Sequence, residues 1–184
     1  MVRLEYLQAV REETERVERL DARLADLVPK SELAALVEAL QAFRGIKLLS
    51  AATIAFELID LRRFAHPKQL MSFCGVVPGE DSSGERVQRV GLTKAGNKAV
   101  RRILTEVAWN YRFRPAVSAD IRKRSRRVAP GVKALAWKAQ LRLHGRYVRL
   151  KARGKSHNKV LMAVARELLG FIWAVGQEEQ LLIA

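Results

Sequence analysis

The sequence predicts a mainly α-helical fold with one core and a helical extension. Of its 184 residues, 49% are hydrophobic, which is enough to bury a core and excludes a disordered chain. In most segments the apolar residues recur at helical spacing. The closing helix, about 157–175, shows this pattern most clearly. Its apolar face is formed by Val160, Leu161, Val164, Leu168, Phe171 and Ile172.

The first predicted helix, Leu4 to Leu27, has the heptad spacing of a short coiled coil. Val10, Val17 and Leu24 repeat every seven residues, although Glu13 stands where an apolar residue is expected. We therefore predict a coiled-coil-like arm at 1–30, a main domain at 31–176 and a tail at 177–184. Self-association into a homo-oligomer through residues 4–27 is a hypothesis that follows from this pattern.

Two helices, about Glu32 to Phe43 and Ala51 to Ile59, are predicted around a tight turn that contains Gly45. This arrangement resembles a helix-hairpin-helix, whose turn amides can bind a DNA phosphate. Lys47 replaces the usual second glycine of that motif and could itself contact a phosphate. A plain helical turn is an equally good interpretation.

Between these two helices and the closing helix, three further helices and a β-like ribbon at 86–90 are predicted. Helices are expected at about 67–74, 97–111 and 130–143. The three tryptophans fall within apolar helical patterns, so we expect them in the core rather than at a recognition surface. They are Trp109, Trp137 and Trp173.

The net charge of +15 is unevenly distributed along the chain. Residues 1–40 contain six basic and nine acidic residues, whereas residues 86–155 contain twenty-one basic residues and two acidic ones. The basic half therefore predicts a polyanionic partner, with a merely solvated basic face as the alternative. No run of eighteen apolar residues suggests a membrane span, and the basic half lacks one long amphipathic helix with an aromatic apolar face, so we expect no membrane partner. The single cysteine, Cys74, indicates a reducing cytosol.

A cluster of Gly, Pro, Asp and Ser is expected to place Ser82 and Ser83 on an exposed loop. Arg86, Arg89 and Lys94 follow it. A hydroxyl beside such cations could hold and attack a phosphodiester, although an ordinary polar turn fits the same local pattern. The three histidines lie far apart without carboxylates at ligand spacing, so no metal site is expected in this chain.

Several short motifs occur in an order that resembles one known family. They are Phe43-Arg-Gly-Ile, Ile59-Asp-Leu-Arg-Arg-Phe, Pro67-Lys-Gln-Leu, Gly75-Val-Val-Pro, Ser82-Ser-Gly and Gly91-Leu-Thr-Lys-Ala-Gly-Asn. Together with Arg101 and Arg102, they resemble the C-terminal domain of insertion-sequence transposases of the one-ten family, which includes the Piv-type DNA invertases. The resemblance covers roughly residues 40–175.

The resemblance implies a bacterial, cytoplasmic and nucleoid-associated DNA recombinase with a two-part active site. In that family, a RuvC-like domain supplies four acids for Mg²⁺, the C-terminal domain supplies a serine nucleophile, and some members use a bridging guide RNA. The family pattern implies Ser83 as the nucleophile, with Ser82 as the less favoured neighbour. The RuvC-like part is expected to be absent here, since about forty residues precede the matched domain.

The nucleic-acid contacts expected from the basic pattern and the resemblance together are Gly45, Lys47, Arg86, Arg89, Lys94, Asn97, Lys98, Arg101 and Arg102. The alternative function is a non-catalytic nucleic-acid-binding module, such as a truncated transposase or a regulator.

Overall fold

The computed structural model describes residues 2–83, 86–92 and 95–183, and the side chains of residues 3–79 and 95–183. This part of the chain forms eight α-helices and one two-stranded antiparallel ribbon, which confirms the mainly α-helical prediction. The elements are α1 Val2–Leu27, α2 Ala34–Leu40, α3 Leu48–Leu58, α4 Pro67–Phe73, β1 Pro78–Ser83, β2 Arg86–Leu92, α5 Lys98–Ala108, α6 Ala119–Arg124, α7 Pro130–Ala152 and α8 His157–Gln177.

The core is assembled around α8, which packs against α2, α4, α5 and α7. Its predicted apolar face is buried, with Phe171 only half-buried at the edge. Among the described residues, α8 also has the length and hydropathy that a membrane span requires. Its apolar face is occupied by the other helices of the core, which is the usual position of such a helix in a globular domain.

Several helix boundaries differ from the sequence-based expectation. Helix α2 ends at Leu40 rather than near Phe43, and α3 begins at Leu48 rather than at Ala51. Helix α7 continues to Ala152 rather than ending near residue 143, because Leu143, Tyr147 and Leu150 extend its apolar face by two turns. Helix α5 ends at Ala108 and continues as a 3-10 turn over 109–112. Helix α6, which is capped by Ser118, was not predicted because it is too short to show an apolar period.

Helix α1 extends from the core, and its side chains from Arg3 onward are exposed except at Leu24, which is half-buried. The heptad positions Tyr6, Val10, Val17 and Leu20 are all at least half exposed, so α1 presents an apolar stripe to solvent. Pro29 lies within the 3-10 turn that ends this helix, as its missing N–H predicts.

The C-terminal residues return to the main domain. The Ala129 N–H donates to the Leu181 carbonyl at 2.8 Å, and the Ile183 N–H donates to the Arg127 carbonyl at 2.7 Å. Arg62 also donates to the carbonyl oxygens of Gly176 and Glu178 at the end of α8. Most of the predicted tail is therefore fixed to the surface formed by residues 127–129.

Candidate nucleic-acid interface

The two candidate serines end a β-strand rather than lying on a loop, which corrects the sequence-based expectation. In the β1–β2 ribbon, Ser83 pairs with Arg86 and Ser82 pairs with Val87, at the end of the ribbon remote from the helices. Valines on β2 favour the extended backbone that this pairing needs. The side chains of 80–94 lie outside the described residues, so the predicted contacts of Arg86, Arg89 and Lys94 stay predictions.

The base of the ribbon is closed by backbone contacts that require glycine. The Asn97 N–H donates to the Phe73 carbonyl at 3.2 Å, joining the segments that lead into and out of the ribbon. Gly96 has φ +146°, and a Cβ on it would lie 2.4 Å from the Phe73 carbonyl oxygen. Both the backbone conformation and the close approach therefore demand glycine at this position.

Arg101 supports the same base from helix α5. Its Nη1 donates to the Cys74 carbonyl at 3.0 Å and lies 2.8 Å from the position of a Cβ on Gly75, which has φ +65°. Burial raises the pKa of the Cys74 thiol to about 12, with the positive charge of Arg101 acting in the opposite direction. Arg101, expected from the sequence to contact nucleic acid, thus makes a structural contact that positions the ribbon.

Asn97 also has a structural role, because it is the N-cap of α5. Its Oδ1 accepts from the Val100 N–H at 2.9 Å, and its Nδ2 donates to Glu57 Oε2 at 2.6 Å. By contrast, Lys98 is exposed, and Arg102 has 82% of its side chain exposed while pairing with Glu106 one turn later. Lys98 and Arg102 are the predicted α5 contacts whose charges face solvent.

Gly45 and Lys47 lie beside the opposite end of α5, roughly 15 Å along the helix axis from Lys98. Gly45 has φ +80°, and a Cβ there would lie 2.7 Å from Asn110 Nδ2. Packing against Asn110 therefore accounts for this glycine without a phosphate ligand. Lys47 is exposed at the N-cap position of α3. The structure brings the ribbon and the start of α5 together but places the Gly45 turn apart from them.

Two arginines join the turn between α2 and α3 to residues 113–124 of the basic half. Neither was singled out from the sequence. Arg44 donates to the carbonyls of Phe113 and Ala116, and Arg124 donates to those of Gln41 and Phe43. Burial lowers the pKa of Arg124, and the partner carboxylate of Asp120 opposes that shift. Such residues give no sequence signal, because their partners are backbone carbonyls about 70 to 80 positions away.

The basic tract, residues 112–155, presents many cations to solvent. Its exposed lysines and arginines are Arg114, Arg122, Lys123, Arg126, Arg127, Lys138, Arg142, Arg149, Lys151, Arg153 and Lys155. Arg127 contacts Glu38 and Arg142 contacts Glu167, so these two are partly neutralised. The surplus of exposed positive charge provides an extended field for a polyanion.

The prediction that all three tryptophans lie in the core is wrong for two of them. Trp109 and Trp137 are 39% and 40% exposed, because each lies at the edge of a buried helix face. The Arg112 guanidinium covers the Trp109 ring at 3.9 Å from its centroid. Only Trp173 is packed as expected, half-buried, with its indole N–H donating to the Phe64 carbonyl at 2.7 Å.

The ordered motifs agree with a comparison to known protein families. Residues 37–126 match the model described as the transposase IS116/IS110/IS902 family. Over this segment, the chain is similar to the transposases of that family. The segment begins in α2, includes the whole β1–β2 ribbon and its support on α5, and ends just after α6. The resemblance inferred from the short motifs is therefore confirmed.

Curated relatives point to the same family and extend over more of the chain. A candidate transposase of Sinorhizobium fredii, y4qE, is 48% identical over 161 residues, which are 88% of this chain and 41% of that protein. The transposase for insertion sequence element IS1533 of Leptospira borgpetersenii is 29% identical over 82% of this chain and 44% of its own length. The transposase for IS1111A of Coxiella burnetii is 33% identical over 35% of this chain and 18% of its own. The chain thus spans less than half the length of these relatives.

Proposed function

We propose that this chain forms the DNA-binding, serine-bearing part of a transposase and that Ser83 attacks a DNA phosphodiester, with Ser82 as the less favoured alternative. The observation that carries the proposal is that the family segment contains the complete ribbon and the α5 contacts that fix its base. A nucleophile must be held in a defined position relative to the reacting phosphorus. A ribbon fixed at its base to a core helix supplies such a platform.

In the proposed step, the Ser83 oxygen forms a bond to phosphorus while one backbone phosphorus–oxygen bond of the DNA breaks. The serine loses its proton, and the departing sugar oxygen gains one, so the products are a phosphoserine ester and a free DNA hydroxyl. Lys98 and Arg102, exposed beside the base of the ribbon, would bind neighbouring phosphates together with Arg86, Arg89 and Lys94. Asn97 and Arg101 would act mainly by positioning the ribbon. Gly45 and Lys47 would contact the DNA backbone separately.

The proposal places the Mg²⁺ of the reaction on a RuvC-like domain outside this chain. Within the described residues, no group of three His, Cys, Asp or Glu side chains could hold a metal ion, so these residues do not fit a Mg²⁺ site. We therefore derive no step of the reaction through the metal. The same proposal has the protein act on nucleoid DNA in the bacterial cytoplasm, with a bridging guide RNA as a further partner of the basic tract.

The proposal includes a homo-oligomer formed through the apolar stripe of α1. The heptad positions Val10, Val17 and Leu20 are exposed, which is unfavourable unless another helix covers them. We expect Leu20→Lys to dissociate the oligomer in sedimentation velocity. Ala22→Lys, on the opposite face of α1, should leave it intact. A monomeric wild-type protein at micromolar concentration would refute this part of the proposal.

The decisive experiment combines this chain with a separately expressed RuvC-like domain, Mg²⁺ and labelled DNA from the ends of its insertion element. A covalent protein–DNA adduct should appear on a denaturing gel, disappear in Ser83→Ala and persist in Ser82→Ala. A full-length relative provides the positive control. Retarded DNA without an adduct, while the relative reacts, would instead support the non-catalytic binding module, which the exposed cations of 112–155 favour.

A further inference from the structure

A cavity of about 320 Å³ lies between α6, α7 and the segment that follows α2. This volume is at the small end of the range for pockets that bind organic ligands. Apolar side chains, including Val117, Ile121 and Ala136, form much of its wall. It is separate from the β1–β2 ribbon, since none of the residues that line it belongs to the ribbon or to α5.

The cavity contains a buried amide with an unused donor. Gln140 is 2% exposed, and its Oε1 accepts from the Ala116 N–H at 3.2 Å. A backbone N–H can only donate, so this contact fixes the orientation of the amide and directs its NH₂ group away from Ala116. Among the described residues, that NH₂ group donates no hydrogen bond. This NH₂ group is therefore available to donate to an acceptor on a ligand within the cavity.

The other polar features of the cavity are an indole and two cations. Trp137, 40% exposed, lines the cavity and offers an aromatic surface for stacking. Arg122 is exposed, and Lys133 is half-buried with its Nζ donating to the Arg126 carbonyl at 3.2 Å. Both cations also line the cavity. A fitting ligand has a flat apolar face, a hydrogen-bond acceptor on its edge and a negative charge beside it.

We propose that this cavity binds one unstacked nucleobase of a nucleic-acid strand, with the adjacent phosphate on Arg122 and Lys133. A base within a duplex cannot insert into such a cavity, so the strand must be single-stranded or locally opened. Exposed cations continue from Arg122 and Lys123 on α6 to Arg126 just after it, where further phosphates of the same strand would lie. This inference rests on the proposed nucleic-acid function and adds a selectivity for unpaired strands.

The test uses the full chain and 12-nucleotide single strands that carry 5-iodouracil, made as DNA and as RNA, together with a matched duplex. Ultraviolet crosslinking followed by peptide mapping should place the crosslink on Trp137. Val117→Trp should fill the cavity from its exposed edge and weaken single-strand binding about tenfold, which is the typical contribution of one stacked base. Val148→Trp, equally exposed on α7 but outside the cavity, should have no effect.

Trp137→Leu provides a second variant that removes the stacking surface without filling the cavity, and it should also weaken single-strand binding about tenfold. Thermal melts verify that each variant is folded. Equal single-strand affinities for Val117→Trp and Val148→Trp, or crosslinks only at other residues, would overturn the inference. Displacement of the strand by uridine or thymidine monophosphate at equal concentration would also overturn it, since the cavity would then bind free nucleotides.

Comparing the DNA strand with the RNA strand in this experiment identifies which of the two inserts a base into the cavity. Binding of the wild-type protein to the duplex separates this inference from the proposed function. Retained duplex binding without a Trp137 crosslink refutes only the cavity inference. If the wild-type protein showed no salt-sensitive binding to either the single strand or the duplex, the nucleic-acid function itself would be refuted.

Discussion

The neighbouring arginines of α5 allow a sharp test of how the serine-bearing ribbon is held. Arg101→Met removes the hydrogen bond to the Cys74 carbonyl at 3.0 Å, whereas Arg102→Met removes a solvent-exposed pair with Glu106. A hydrogen bond from a charged group contributes about 1.5–3 kcal/mol, and an exposed ion pair on a helix about 0.3–0.5 kcal/mol. At about 2–4 °C per kcal/mol for a chain of this size, Arg101→Met should lower the melting temperature by roughly 3–12 °C.

The two variants lose the same formal charge, so the long-range attraction of DNA is matched between them, although Arg102→Met also removes a proposed phosphate contact. We expect Arg102→Met to melt within about 2 °C of wild type, since the exposed pair contributes only a few tenths of a kcal/mol. Differential scanning calorimetry measures both changes, and the adduct assay should show the larger loss for Arg101→Met because the base of its ribbon loosens. Equal melting temperatures for the two variants would refute the positioning role of Arg101.

Three further predictions concern stability. Gly176→Ala should destabilise the protein by about 1–3 kcal/mol in urea unfolding, because the new Cβ would lie 2.3 Å from Leu61 Cβ. Gly145 has open space around it, so Gly145→Ala should stabilise α7 by about 0.5–1 kcal/mol. The reverse order of stabilities would contradict the packing. Burial raises the pKa of the Cys74 thiol from near 9.0 to about 12, so the contribution of the buried thiol to stability is complete below pH 9 and falls as the pH rises from 9 towards 12. Urea unfolding across this pH range should show a falling free energy of unfolding. Cys74→Ala should make this fall smaller. Arg124→Met should lower the free energy of unfolding by about 2–4 kcal/mol by removing the contacts to two carbonyls and Asp120, and an unchanged urea midpoint would exclude this role.

The sequence predicted the helices well wherever an apolar period extended over several turns. Helix α8 and its buried face follow directly from the spacing of Val160, Leu161, Val164 and Leu168. Helix α6 was missed because six residues are too few to show a period. The end of α7 was placed too early, since charged residues between Leu143 and Leu150 obscured its continuing apolar face.

The candidate site was predicted by residue type but not by structural role. Asn97 and Arg101 were expected to contact nucleic acid, yet their side chains cap α5 and support the base of the ribbon. Such roles depend on the carbonyl of Cys74 and the carboxylate of Glu57, and no local pattern reveals these distant partners. The exposure of Trp137 was missed for a similar reason, because helical spacing identifies the buried face but does not show where its edge ends.

The most direct test of the central claim identifies the residue that becomes linked to DNA. The adduct formed with the RuvC-like domain and Mg²⁺ is digested with nuclease and trypsin, and the modified peptide is sequenced by mass spectrometry. We expect a nucleotide attached through phosphate to Ser83, at the end of β1. A nucleotide on Ser82, or on any residue outside the ribbon, would contradict it.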